Sequence, residues 1–164
     1  MTIRPARTAD REALAAIVLA AIRSSFPTFL PTDTLERWLA DDAVGKYVAS
    51  RWESCHVAEE AGEVVACCFT EGDLLDLLMV HPGRQGRGIG GALLADAEAR
   101  LFEAHPVIRL ESFAANTAAN RFYEARGWRA SARKADPDTG AEVVGFRKKS
   151  PAESSAAAEP IDRT

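Results

Sequence analysis

The sequence is short of cysteine, of basic excess and of long apolar runs, and each shortage removes a class of protein. Three cysteines among 164 residues cannot make a disulfide framework, and Cys67 and Cys68, adjacent on a strand-like segment, must point to opposite faces. No C-x-x-C or zinc spacing occurs, His56, His81 and His105 do not cluster, and no metal site is expected. A reducing, cytoplasmic setting follows. With 20 Lys and Arg against 24 Asp and Glu, the formal charge is −4, which gives no support to nucleic-acid or anionic-membrane binding. The longest apolar run, Ala13 to Ile22, is too short to span a bilayer. Asp10 and Glu12 beside it oppose a signal peptide, and Leu14, Ile17, Val18, Ala21 and Ile22 fall on one helical face. There is no internal repeat. From Ser150 onward Ile161 is the one large apolar residue, so residues 150–164 are expected to be a disordered tail.

What remains is a chain whose length and 47% hydrophobic content suit a single domain over residues 1–149, able to bury a core without staples. Residues 2–6 read as a strand, with Thr8 capping a helix over 9–24. Pro27 and Pro31 bracket a loop carrying Phe26, Phe29 and Leu30, after which a helical stretch includes Leu35, Trp38 and Leu39 and restarts near Val44. Strands follow at 55–60, 63–70 and 74–80. A helix spans 88–104, with Ile89, Leu93, Ala97 and Leu101 at four-residue spacing. Strand 107–113 leads to a helix from Asn116, an N-cap residue, to Arg126 with Gly127 at its end. A final hairpin pairs 128–134 with 141–148 around Asp136 to Gly140. The order is βααβββαβαββ, an α/β (α+β) fold with a mixed sheet of about seven strands flanked by helices.

The chemistry concentrates where strand 74–80 passes into helix 88–104, in His81-Pro82-Gly83-Arg84-Gln85-Gly86-Arg87-Gly88-Ile89-Gly90-Gly91. Gly86, Gly88, Gly90 and Gly91 let backbone N–H groups converge, and the helix start adds its unpaired donors and positive dipole end. Arg84 and Arg87 add charge that can pair with phosphate. The same loop could instead be only a turn. As a phosphate site it fits two ligands. Gly86, Gly88 and Gly91 satisfy G-x-G-x-x-G, with Glu111 twenty residues beyond, which would suit NAD. Against that, His81 to Gln85 intervene between strand and first glycine, and repeated βαβ units are missing.

The second match is tighter. Gln85 to Gly90 has the Q-x-x-G-x-G pattern, and the stretch from Leu78 through Leu94 resembles the acetyl-CoA motif of the GCN5-related N-acetyltransferases (GNAT superfamily). Asn116 to Ala119 followed by Phe122-Tyr123-Glu124-Ala125-Arg126-Gly127-Trp128 resembles that family's N-x-x-A-x-x-(L/F)-Y-x-x-x-G-F signature, with tryptophan for the usual phenylalanine. The likeness covers about residues 2–148 and is strongest over 74–128.

The resemblance implies the GNAT fold and transfer of acetyl from acetyl-CoA to a primary amine by direct attack in a ternary complex. It implies that Arg84 and the loop Gln85, Gly86, Arg87, Gly88, Ile89, Gly90 and Gly91 hold the coenzyme A diphosphate. Leu78, Met79 and Val80 would pair with the pantetheine arm in a gap against strand 107–113, with a Val80 N–H for the developing oxyanion. Tyr123 would sit by the coenzyme sulfur and protonate the leaving thiolate, or else be a core aromatic. Asn116 would contact the coenzyme, serve as the N-cap, or both. Two carboxylates compete as proton acceptor from the amine: Glu111, otherwise a surface partner of Arg109, and Asp76, which interrupts an apolar strand and needs partners there. Phe26, Phe29 and Trp38 form either the acceptor wall or core. The acceptor could be a small-molecule or peptide amine, and a homodimer is possible. The alternative is a non-catalytic acyl-CoA-binding or partner-binding domain; the remote one is a NAD-binding oxidoreductase.

Overall fold

Seven strands pair into one mixed sheet in the computed structural model, which describes residues 1–152. The expected tail, from residue 153 on, lies outside the described residues. The strands are β1 (Thr2–Pro5), β2 (Cys55–Glu60), β3 (Glu63–Glu71), β4 (Leu74–Val80), β5 (Val107–Phe113), β6 (Arg129–Ala135) and β7 (Glu142–Lys149). They lie in the order β1-β2-β3-β4-β5-β7-β6. Every neighbouring pair is antiparallel except β4 and β5. That single parallel contact is the reverse of a doubly wound dinucleotide fold, which needs a largely parallel sheet; the G-x-G-x-x-G match is coincidental.

Five helices cover the two faces: α1 (Arg11–Ser25), α2 (Thr32–Ala40), α3 (Ala43–Arg51), α4 (Ile89–Phe102) and α5 (Thr117–Glu124). The region after α1 holds two helices where the sequence suggested one that restarts. Asp42 separates them with a left-handed φ of 48°, a conformation Asp tolerates better than most side chains. On one face Leu14, Ile17, Val18 and Ile22 of α1 and Val44 and Val48 of α3 pack on Val57, Cys67 and Phe69. On the other, Ile89, Leu93, Leu94 and Ala97 of α4 and Tyr123 of α5 pack on Ala66, Cys68, Ile108 and Leu110. Adjacent Cys67 and Cys68 therefore enter different cores, as strand alternation requires. All three cysteines are free and buried, and burial pushes the Cys55 and Cys68 thiols up to about 12. No helix among the described residues is long and apolar enough to cross a membrane.

The start of α1 is fixed differently from the Thr8 cap expected. Asp10, buried, accepts the Arg7 N–H at 2.7 Å and pairs with the Arg4 guanidinium at 2.7 Å. Arg4 also reaches Glu59 on β2 at 2.6 Å, so one guanidinium ties β1, β2 and the first helix together. The Arg4 contact holds the Asp10 carboxyl below its usual range. Its contribution is present above the ordinary aspartate pKa and is lost as pH falls below it. Asp10→Asn is expected to cost about 2 kcal/mol in urea unfolding at pH 7. The gap from wild type should shrink below pH about 4; a pH-independent gap would remove the ionic explanation.

Candidate active site

β4 and β5 hold together only where the start of β4 meets the middle of β5. Leu74 faces Arg109 and Leu75 faces Leu110, and pairing stops at the next residue. The same place carries a β-bulge: Phe69 of β3 faces Leu77 and Thr70 faces Leu75, so Asp76 is the extra residue. A bulge reverses which edge the following backbone groups address. His81 N–H bonds back to Val65 O at 2.9 Å, and by alternation the backbone groups of Leu78 and Val80 turn away from β3, toward the gap. The Val80 carbonyl there accepts a hydrogen bond from Gln85 Nε2 at 3.2 Å; its N–H has no strand to pair with. β5 keeps full pairing to β7 on its other side, so the parting leaves an open slot in an otherwise continuous sheet.

The slot opens into a cavity of about 790 Å³. At one end lies the glycine loop. Gly86 and Gly88 adopt φ of 76° and 79°, and the backbone N–H groups of residues 86 to 91 have no hydrogen-bond partner among the described residues; the first paired donor of α4 is Ala92, to Gly88 O at 3.0 Å. Six consecutive free donors at a helix start form an anion cradle. Gly90 packs against Val80 and Phe122, where an added Cβ would lie in ordinary contact, 3.4 Å from Val80 Cγ2. His81 shapes the exit from β4 by accepting the Gly83 N–H at 3.1 Å.

The two loop arginines are not free for an anion. Arg84 borders the cavity but pairs with Glu63 at 3.0 Å and Glu60 at 3.7 Å on the β2–β3 hairpin. Arg87, 58% exposed and 4.0 Å from Glu60, is absent from the cavity wall, as is Phe29 of the suggested acceptor wall, whereas the other suggested residues border it. Arg126, which sequence reasoning passed over, borders the cavity instead. Its guanidinium lies 3.9 Å from the Phe122 ring centre and against Gly91, with no carboxylate paired to it among the described residues.

Strand alternation sorts the remaining wall. Leu78, Val80, Leu110 and Tyr123 belong to the α4 and α5 side, whereas Leu77, Met79 and Phe113 belong to the α1 side. Tyr123 is 8% exposed, packed edge-on between Phe122 and Trp128, and its hydroxyl has no partner among the described residues. Burial raises its pKa. Asn116 caps α5 by accepting the Ala119 N–H at 3.3 Å and also borders the cavity. Trp128, in place of the family's phenylalanine, donates its indole N–H to Glu98 at 2.7 Å, and Lys148 holds the other oxygen at 2.6 Å.

Both carboxylates border the cavity, one from each parted strand. Glu111 pairs with Lys134 of β6 at 2.7 Å; Arg109 pairs with Asp73 at 2.9 Å, not with Glu111, because residues two apart on a strand each meet a different neighbour. The burial expected of Asp76 is not found: the residue is exposed, with the Tyr47 O–H donating to it at 2.5 Å and Arg51 at 3.6 Å. Tyr47 and Arg51 were not singled out from the sequence, although with Val44 and Val48 they follow i, i+3, i+4, i+7 on the buried face of α3. Phe26, Phe29, Trp38 and Phe113 form a cluster with ring centres 5.0 to 6.3 Å apart.

Residues 51–130 match the family model for an acetyltransferase (GNAT) domain. The chain has the GNAT fold. A GCN5-related N-acetyltransferase from Rhodopseudomonas palustris shares the fold with TM-score 0.79 and 21% identity, over 90% of this chain and 94% of that one. The PaiA N-acetyltransferase from Thermoplasma acidophilum, solved in complex with coenzyme A, superposes with TM-score 0.74 and 17% identity over 91% and 98%. An N-acetyltransferase from Staphylococcus aureus Mu50 gives 0.69 and 16% over 90% and 100%. No curated protein matches the sequence. The parted strands and glycine cradle thus sit in a GNAT scaffold.

The chain has two tyrosines, Tyr47 and Tyr123, and burial raises both, with Asp76 adding to the effect at Tyr47. Ultraviolet titration should show no ionisation step with a midpoint near pH about 10, the ordinary phenol value, before the chain unfolds. A step there in native protein would contradict the placement of these side chains.

Proposed function

We propose that this protein is an acetyl-CoA-dependent N-acetyltransferase that passes the acetyl group to a primary amine by direct attack in a ternary complex. The observation that carries the reading is the run of unpaired N–H groups over residues 86 to 91, placed beside a slot in the sheet. The cosubstrate is acetyl-CoA, and the PaiA protein of the same fold was solved in complex with coenzyme A. The residues present fit it: the cradle from Gly86 to Gly91, with Gln85 ordering the loop, suits a diphosphate, and Arg126 stands beside Gly91 to share the charge. The free edge of β4 at Leu78 and Val80 suits an extended amide arm that pairs as a strand would, with Met79 lining the other side. Acetyl-CoA supplies an activated acyl group on a thiol leaving group.

The chain then has three tasks. The Val80 N–H, aimed into the slot, donates to the carbonyl oxygen as negative charge gathers on it. The ammonium first gives one proton to Asp76 or Glu111, directly or through water; the neutral nitrogen then bonds to the acyl carbon as the carbon–sulfur bond breaks, and its second proton passes to solvent. Tyr123, held neutral by burial, gives a proton to the departing sulfur and regains one from solvent. Each strand of the parted pair provides one carboxylate on the α1 side, so the amine and the thiol would stand on opposite faces of the slot.

Acetyl-CoA should raise the Tm, while NAD should not. Tyr123→Phe should lower kcat about 10- to 100-fold with little change in acetyl-CoA Kd. A wild-type enzyme that binds acetyl-CoA yet turns over no amine would favour the non-catalytic binder. Whichever of Asp76→Asn and Glu111→Gln abolishes the acidic limb of the kcat/KM pH profile identifies the proton acceptor; loss of neither limb removes both from the mechanism.

A further inference from the structure

The α1 side of the cavity is almost entirely apolar, with walls of Ile22, Phe26, Val44, Tyr47, Met79 and Phe113. Its polar inventory is short. The Trp38 indole N–H is already given to Asp138 at 2.6 Å and the Tyr47 hydroxyl to Asp76 at 2.5 Å. The backbone groups of α1 and α3 are used within their helices. What remains is the Ser25 hydroxyl and the carboxylates Asp76 and Glu111. The two arginines of the cavity wall, Arg84 and Arg126, both stand at the glycine-loop end; behind this half, Arg51 and Lys134 are each already paired, with Asp76 at 3.6 Å and Glu111 at 2.7 Å, and neither lines the wall.

The charge here is negative. Arg51 is shared between Asp76 and Glu71, which it reaches at 2.5 Å, and the three groups sum to one negative charge (+1 −1 −1). The far side is closed. Arg37 and Trp38 of α2 both grip Asp138 in the β6–β7 turn, about 100 residues away, with Arg37 Nη2 at 3.1 Å from its carbonyl oxygen. This latch ties α2 to the β6–β7 turn beside the aromatic cluster.

From these features, and resting on the acetyltransferase reading above, we infer that the acceptor is a small arylalkylamine: a primary amine whose only charge is the ammonium, carried on a compact aromatic body. The ammonium meets Asp76, and the ring lies among Phe26, Phe113 and Tyr47. An amino acid would bring its carboxylate to a wall with no cation to receive it. A polyamine would strand its second ammonium on apolar surface, and a sugar amine would leave hydroxyls without partners.

The test is a thiol-release assay with acetyl-CoA and matched acceptors: 2-phenylethylamine, ethylamine, phenylalanine, spermidine, glucosamine and an unblocked tripeptide. The kcat/KM for 2-phenylethylamine should exceed that for phenylalanine, which differs by one carboxylate, by about 100-fold, and should exceed those for the other acceptors as well. Phe26→Ala should cut the preference for 2-phenylethylamine over ethylamine about tenfold. That ratio within one variant is insensitive to how much of it folds. A preference for phenylalanine, spermidine, glucosamine or the peptide overturns the inference while leaving the acetyltransferase reading in place. So does acetyl-CoA binding without turnover of 2-phenylethylamine. If acetyl-CoA fails to raise the Tm of wild-type protein, the underlying reading falls and the inference with it.

Discussion

Where β4 leaves β5 beyond Leu75, backbone donors and acceptors that a continuous sheet would pair are left open at the middle of the molecule. Unpaired backbone polar groups away from water are costly, so such an edge persists only if something else satisfies it. Here the Gln85 side chain takes the Val80 carbonyl, and the rest of the edge faces a cavity rather than protein. The bulge at Asp76 makes this arrangement stable: it shifts the alternation at the point of parting, so Leu78 and Val80 address the gap while β3 stays fully paired on the other side. The slot is a property of backbone register, which is why a single inserted residue governs the position of everything around it.

The glycine loop answers the same problem at the end of β4. Its donors converge because Gly86 and Gly88 can hold positive φ. The charged side chains nearby are arranged less simply. Arg84 and Arg87 stand by the carboxylates of the β2–β3 hairpin, which steadies the loop and dilutes their charge, whereas Arg126 rests on Phe122 without an acidic partner. An acidic protein thus presents a local positive site made chiefly of backbone donors and one aromatic-backed arginine.

The sheet divides the chemistry between its faces. Tyr123 belongs to the α4 and α5 side, where burial keeps its hydroxyl protonated. Asp76 and Glu111 belong to the α1 side, each held by a partner from another element, Tyr47 and Lys134. In the proposed reaction a thioester would approach from one face and an amine from the other, and strand alternation alone would separate the proposed proton donor from the proposed proton acceptor.

Much of this was legible in the sequence because it is local. Helical spacing from Leu14 to Ile22 and Ile89 to Leu101, the Asn116 cap, the split between Cys67 and Cys68, and the glycines between Gln85 and Gly91 all act within a few residues, where propensity and periodicity decide. The suggested site residues also gather on one cavity, Arg87 and Phe29 excepted. What the sequence could not carry was pairing between distant segments. The Glu111 partner, the Tyr47 and Arg51 support of Asp76, the Arg84 attachment to the hairpin, the Asp138 latch on α2 and the bulge that parts β4 from β5 each join residues far apart in the chain. Side-chain charge and backbone hydrogen bonding act over a few ångströms of space, and only the folded sheet determines which residues come within that distance.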